Sequence, residues 1–222
     1  MNVFVRNKDK YMSKTIMAFG DSLTWGTNPV AGGRHDYHDR WPSVLEAGLG
    51  ATHRVVAEGL GGRTSAFDDR TAAFDRNGAR ALPMLLATHS PLDLVIIMLG
   101  ANDLKPYISP TVDGAFAGMS RLIEIVRCFP YNWGMTPPKI MIVSPPHFCM
   151  RSDNQGPQSG RIVEHSHLLA SGYRAIAEAQ NCAFFDAAQV AKASDVDGVH
   201  LDAANTRAIG AALIEPVRKL LA

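Results

Sequence analysis

The sequence predicts a three-layer α/β domain built on a sheet of five parallel strands. Three observations carry that expectation: five short apolar runs of β-rich composition, helical stretches falling between them, and a central run, Leu94-Val95-Ile96-Ile97-Met98-Leu99, with no polar residue at all. A strand that is apolar at every position suits a parallel sheet covered by helices on both faces. Strands alternating with helices then imply right-handed crossovers within one open sheet.

Taken in order, the strands are expected at Thr15–Phe19, Arg54–Ala57, Leu94–Leu99, Ile140–Val143 and Ala183–Phe185. Between them, Pro42–Gly50 presents Val44, Leu45 and Leu49 at helical spacing, and Ala79–Thr88 follows a turn signal at Asn77-Gly78. Val112–Phe129 places Phe116, Met119, Leu122, Ile123 and Val126 on one helix face; His167–Gln180 and Ala203–Leu221 complete the helices. Pro216 lies inside the last pattern and predicts a kink or break near Ile214 or Glu215. Residues 1–11 read as an N-terminal extension, and 12–222 as one domain with no repeat, linker or low-complexity tract. The long irregular pieces are Thr27–Arg40, Arg63–Arg76 and His147–Gly160. Loops that follow strand carboxyl ends line the ligand crevice of such sheets.

Composition excludes several classes. With 22 basic against 21 acidic side chains and no dense Lys/Arg block, nothing points to nucleic acid. No segment has the apolar length of a membrane span, and the N-terminus lacks the apolar region of a secretory signal. Cys128, Cys149 and Cys182 are odd in number and widely spaced, which suits neither a disulfide framework nor a metal pair. Cys128 and Cys182, set in apolar stretches, read as reduced core residues, and a reducing cytoplasm is the expected location. The expected partner is a small molecule.

The chemistry lies in four strings after apolar runs or before the last helix. Ser22 stands three residues past Phe19 in a Gly20-Asp21-Ser22 turn, where glycine permits a sharp bend and the following residues can open a helical turn. A serine so placed can attack a carbonyl while its own N–H helps hold the developing oxyanion. Asp197, three residues before His200, can reach Nδ1 of the imidazole and turn Nε2 towards the serine. Asn102, after Leu99-Gly100, can donate its side-chain amide, and Gly62 its backbone N–H, with no side chain to obstruct the substrate. Each string also has a plain structural reading: Asp21-Ser22 or Asp202 as helix caps, Asn102-Asp103 and Gly61-Gly62 as turns. Together, in this order, they supply a nucleophile, an acid–base pair and two further donors.

These blocks, Gly20-Asp21-Ser22-Leu23, Gly62, Gly100-Ala101-Asn102-Asp103 and Asp197-Gly198-Val199-His200, resemble those of the SGNH hydrolases, or GDSL-type esterases. The resemblance runs from Met12 to the C-terminus. Phe19–Gly26, Glu58–Thr64 and Pro91–Gly100 are similar to the arylesterase and acyltransferase (perhydrolase) branch. It implies a flavodoxin-like five-stranded fold, with Ser22 as nucleophile, His200 as base, Asp197 as orienting acid, and an oxyanion hole of Ser22, Gly62 and Asn102. It further implies Trp25 as a pocket wall, short acetyl-type acyl chains, a homo-oligomer and no cofactor. The chain departs from the branch after Ser144-Pro145-Pro146, where His147 replaces a further proline and the loop to Gly160 is short and polar. The function expected is a serine carboxylester hydrolase whose acyl-enzyme passes to water or, in acyltransferase or perhydrolase fashion, to an alcohol or peroxide. The alternative is a non-catalytic α/β module that binds a small ligand on the same fold.

Other signals point elsewhere and are weaker. His35-Asp36-Tyr37-His38-Asp39 has metal-ligating residue types but no companion cluster, so no metal is expected. His165 and His167 flank Ser166 and cannot share a helix face. Gly59–Thr64 nearly matches a dinucleotide loop but lacks its final glycine and follows the second strand. Gly-x-Ser-x-Gly and His-Glu-x-x-His are both absent.

Overall fold

Strand β1 (Lys14–Gly20) lies between β2 (His53–Gly59) and β3 (Leu94–Met98), and β4 (Lys139–Ser144) and β5 (Ala183–Asp186) continue the sheet beyond β3. The order is β2-β1-β3-β4-β5 and every pairing is parallel. This computed structural model describes residues 13–109 and 111–222, so the extension expected at 1–11 lies outside the described residues.

Period-two alternation sorts the strand side chains into two cores. Met17, Phe19, Val95, Ile97, Ile140 and Ile142 turn to one face, which α3 (Gly78–His89), α4 (Val112–Cys128) and α5 (Val163–Ala179) cover. Ile16, Ala18, Leu94, Ile96, Met98, Met141 and Val143 turn to the other, under α2 (Trp41–Leu49) and α6 (Ala203–Leu221). A continuously apolar β3 is therefore what two covered faces require. Each fully buried aliphatic side chain contributes about 1.5–3 kcal/mol by leaving water.

Three expectations need correcting. Helix α5 begins at Val163, a turn before His167, because Val163, Ser166, Leu169 and Tyr173 form one inward stripe that the intervening Glu164, His165 and His167 obscure. Helix α6 runs unbroken through Pro216. The proline removes one N–H, but Leu213, Val217 and Leu221 are all buried at four-residue spacing and hold both sides of it on the sheet. Cys128 is exposed at the end of α4, off the buried face set by Leu122, Ile123 and Val126, and Cys182 is only half-buried.

The register positions the site. Gly20 pairs with Gly59 on one side and with Met98 on the other, so the carboxyl ends of β1, β2 and β3 stop at one level. Ser22, Gly62 and Asn102 all follow within a few residues of that level. The β1–β3 boundary is also where the chain reverses the direction in which it adds strands, the usual crevice of an open parallel sheet.

Candidate active site

Ser22 opens α1 (Ser22–Trp25), a single helical turn. Its bend is set by small geometry: a Cβ on Gly20 would lie 2.0 Å from Thr24 Oγ1. Asp21 caps the turn by accepting the Leu23 N–H at 2.9 Å, and Gly26, at φ +91°, closes it by donating to the Ser22 carbonyl at 2.9 Å.

The Ser22 hydroxyl meets an imidazole from 178 residues away. His200 Nε2 lies 2.9 Å from Ser22 Oγ, and His200 Nδ1 lies 2.6 Å from Asp197 Oδ2. The other Asp197 oxygen accepts the backbone N–H groups of Val199 and His200, each at 2.9 Å. Burial raises the Asp197 pKa, but the hydrogen bonds from His200 and Val199 outweigh it and hold the carboxyl below its usual range. Gly198 makes the tight loop possible: its φ is +75°, and a Cβ there would stand 2.4 Å from the Cys149 carbonyl oxygen. The imidazole is thus oriented by an ionised carboxylate, the arrangement a general base for a hydroxyl needs.

On the opposite side of Ser22, Asn102 is held by partners that settle which way its amide points. Arg161 donates to Asn102 Oδ1 at 2.9 Å, so the NH₂ faces Asp21 Oδ2 at 3.0 Å and the Arg63 carbonyl at 3.1 Å. Gly62 sits at φ +80° in a turn closed by the Arg63 N–H on the Leu60 carbonyl at 3.0 Å, which leaves the Gly62 peptide outside that hydrogen bond. To serve an oxyanion, the Asn102 amide has to share or exchange the Arg63 carbonyl. Burial pushes the Asp21 carboxyl above its usual range, against the pull of Leu23 N–H, His200, Arg161 and Arg63.

Ser22, Gly62, Asn102 and His200 line one cavity of about 250 Å³. Arg76, Lys105 and Arg161 are also in its walls, with Thr27, Gly61, Gln158 and Ser159. Trp25 stands outside that lining; it is half-buried, with the Arg34 guanidinium 4.9 Å from its ring centre. A larger hollow of about 550 Å³ opens between His147–Met150 and Ala188–Asp195. It contains neither Ser22 nor His200, so size does not identify the site here; the reactive atoms do.

Several supporting residues carry no sequence signal. Arg161 donates to the Ala101 carbonyl at 2.7 Å and the Gln158 carbonyl at 2.6 Å, fastening the β4–α5 loop to the Asn102 turn. Arg63 donates to the carbonyls of Gly20 (2.8 Å) and Glu58 and lies over the Phe19 ring, so it joins the ends of β1 and β2 and does not line the cavity. Desolvation lowers its pKa to about 10. Asp103, fully buried, accepts the Ser65 N–H and hydroxyl, and burial pushes its carboxyl up to about 6. The His35–Asp39 segment is taken up by protein partners: His35 Nε2 meets the Leu201 carbonyl at 2.8 Å and Asp39 pairs with Arg207 at 2.5 Å.

A model of the GDSL-like lipase/acylhydrolase family matches residues 18–208. Among solved structures, a proposed arylesterase from Agrobacterium tumefaciens is 51% identical with a TM-score of 0.91, covering 93% of this chain and 99% of that one. A carbohydrate acetylesterase family member from Sinorhizobium meliloti is 48% identical (TM-score 0.88, 94% and 99% covered). The aryl esterase of M. smegmatis is 42% identical (TM-score 0.86, 94% and 100% covered). No curated protein matches the chain.

Proposed function

The chain belongs to the GDSL-like lipase/acylhydrolase family, and from that premise we propose a serine carboxylester hydrolase that works through an acyl-enzyme on short, acetyl-type esters. The observation that carries it is the unbroken line from Asp197 through His200 to Ser22, with contacts of 2.6 and 2.9 Å. His200 Nε2 takes the Ser22 proton as Oγ attacks the ester carbonyl, and Asp197 steadies the imidazolium that results. The Ser22 and Gly62 N–H groups and the Asn102 amide receive the oxyanion. His200 then passes its proton to the leaving alcohol or phenol, and water, activated by the same imidazole, releases the acid.

The solved relatives named for aryl and carbohydrate acetyl esters support the substrate class, as does the small volume of the cavity, about 250 Å³. Transfer of the acyl group to another alcohol or to peroxide follows the same steps with a different acceptor, and we extend the proposal to it. We read residues 12–222 as one catalytic unit and place it in the cytoplasm as a homo-oligomer, the location resting on three cysteines without disulfide partners. No helix among the described residues is long and apolar enough to cross a membrane.

The test is hydrolysis of p-nitrophenyl acetate together with labelling by an organophosphate. One label per chain at Ser22, and loss of both label and turnover in Ser22→Ala, is the expected result. A binding module on this fold predicts neither, and labelling at another residue refutes the assignment.

A further inference from the structure

The three cations around Ser22 are not balanced by the cavity they face. Arg76, Lys105 and Arg161 line it, and no aspartate or glutamate does. Arg161 is accounted for: two of its three donated hydrogen bonds hold the Asn102 turn and the third its own loop at Gln158, and the Asp21 carboxylate lies just behind that amide. Arg76 and Lys105 are different. Arg76 Nη1 (3.0 Å) and Lys105 Nζ (3.2 Å) reach the same oxygen, Asp69 Oδ2, and among the described residues Asp69 is the one hydrogen-bonding acceptor found for either. Asp69 also accepts the Thr71 N–H and hydroxyl, so its capacity is spent. Two positive charges therefore share one carboxylate, and one charge is left over on the wall of a small pocket.

The placement of Arg76 gives that surplus a direction. Its guanidinium packs directly over the Gly62 peptide, so closely that a Cβ on Gly62 would lie 2.6 Å from Arg76 Nε. Arg76 Nε is buried there with no acceptor among the described residues, while the side chain as a whole keeps 25% of its surface and lines the cavity. A guanidinium anchored at one nitrogen, in the wall of a cavity lined by no carboxylate, is suited to a planar anion.

We propose that this pocket selects esters carrying a carboxylate close to the scissile bond, with Arg76 as the specificity-determining residue and Lys105 reinforcing its charge. The proposal rests on the esterase reading above and adds the substrate's charge to it. A different use of the same cations, general stabilisation of the oxyanion, predicts something else: Arg76 would then matter equally for every ester.

A matched pair of acetyl esters separates these uses: 3-acetoxybenzoate, an anion at neutral pH, and its neutral methyl ester, with the ratio of their kcat/KM values as the readout. The unsubstituted protein is expected to favour the anion by about tenfold at low salt, the scale of one charge-assisted hydrogen bond. That ratio is expected to fall towards one as salt rises to about 0.5 M, where the Debye length shrinks to a few ångströms. Arg76→Gln is expected to bring the ratio near one and Arg76→Lys to keep much of it, the change appearing in KM for the anion. A ratio of one or below in the unsubstituted protein at low salt overturns the proposal even if no variant folds. So does a ratio that survives Arg76→Gln. If neither ester is turned over through Ser22, the esterase reading itself fails, which is a separate and recognisable result.

Discussion

The two sides of Ser22 are built in opposite ways. The proposed acid–base side is local: Asp197 and His200 are three residues apart, and one aspartate oxygen orients the ring while the other ties down the backbone of the same turn. The proposed oxyanion side is assembled from four separate places, with Asp21, Arg63, Asn102 and Arg161 bonded across 39 to 81 residues of chain. The first side is a self-contained turn; the second is a buried polar framework, in which each member is satisfied only if the others are in position.

Substitutions can break or sharpen that contrast. The largest effect is expected from Asp197→Asn, which leaves the turn's shape but presents the wrong tautomer, lowering kcat by about 10⁴-fold; a loss below about tenfold, measured with p-nitrophenyl acetate, means the turn is not the acid–base unit. Asn102→Ala is expected to lower kcat by about 10²- to 10³-fold with little change in KM, since an oxyanion donor acts in the transition state. Arg161→Gln touches no reacting atom, and it is expected to cost about tenfold to a hundredfold by loosening the Asn102 amide. If Arg161→Gln is silent, the framework does not position the donor and the contrast dissolves.

The last effect concerns stability and lies at the buried Asp103, next to Asn102. Asp103 has its folded-state pKa raised from 3.8 to about 6 by burial. A raised carboxyl contributes stability in full below its unfolded pKa and loses it as pH rises through the folded value. Melting temperatures of the unsubstituted protein should therefore fall relative to Asp103→Asn between about pH 4 and about pH 6.5, by at most the equivalent of roughly 3 kcal/mol. Equal pH profiles for the two proteins count against it. Asp21, raised by the same cause, acts in the same direction.

The contrast also governs what could be read before folding. All five strands were visible because each is an apolar run bounded by polar residues, and the structure moves their ends by one or two residues at most. Asp197 and His200 were visible because their geometry is contained in four residues. Arg161, by contrast, is an arginine in a polar loop, and nothing nearby distinguishes it from a solvated one; its role exists only once β3 and the β4–α5 loop meet. Asp69 and Arg76 are alike in this respect. Pro216 misled for the complementary reason: its local preference is to end a helix, and the burial of Leu213, Val217 and Leu221 overrides it.

The separation of 178 positions between Ser22 and His200 has a consequence for biosynthesis. In a polypeptide emerging from the ribosome, His200 follows Ser22 only after all five strands have been made, so the contact on which the proposed chemistry depends cannot form earlier. Contacts of such high sequence separation close late. The proposed acyl transfer therefore has to wait for the completed sheet.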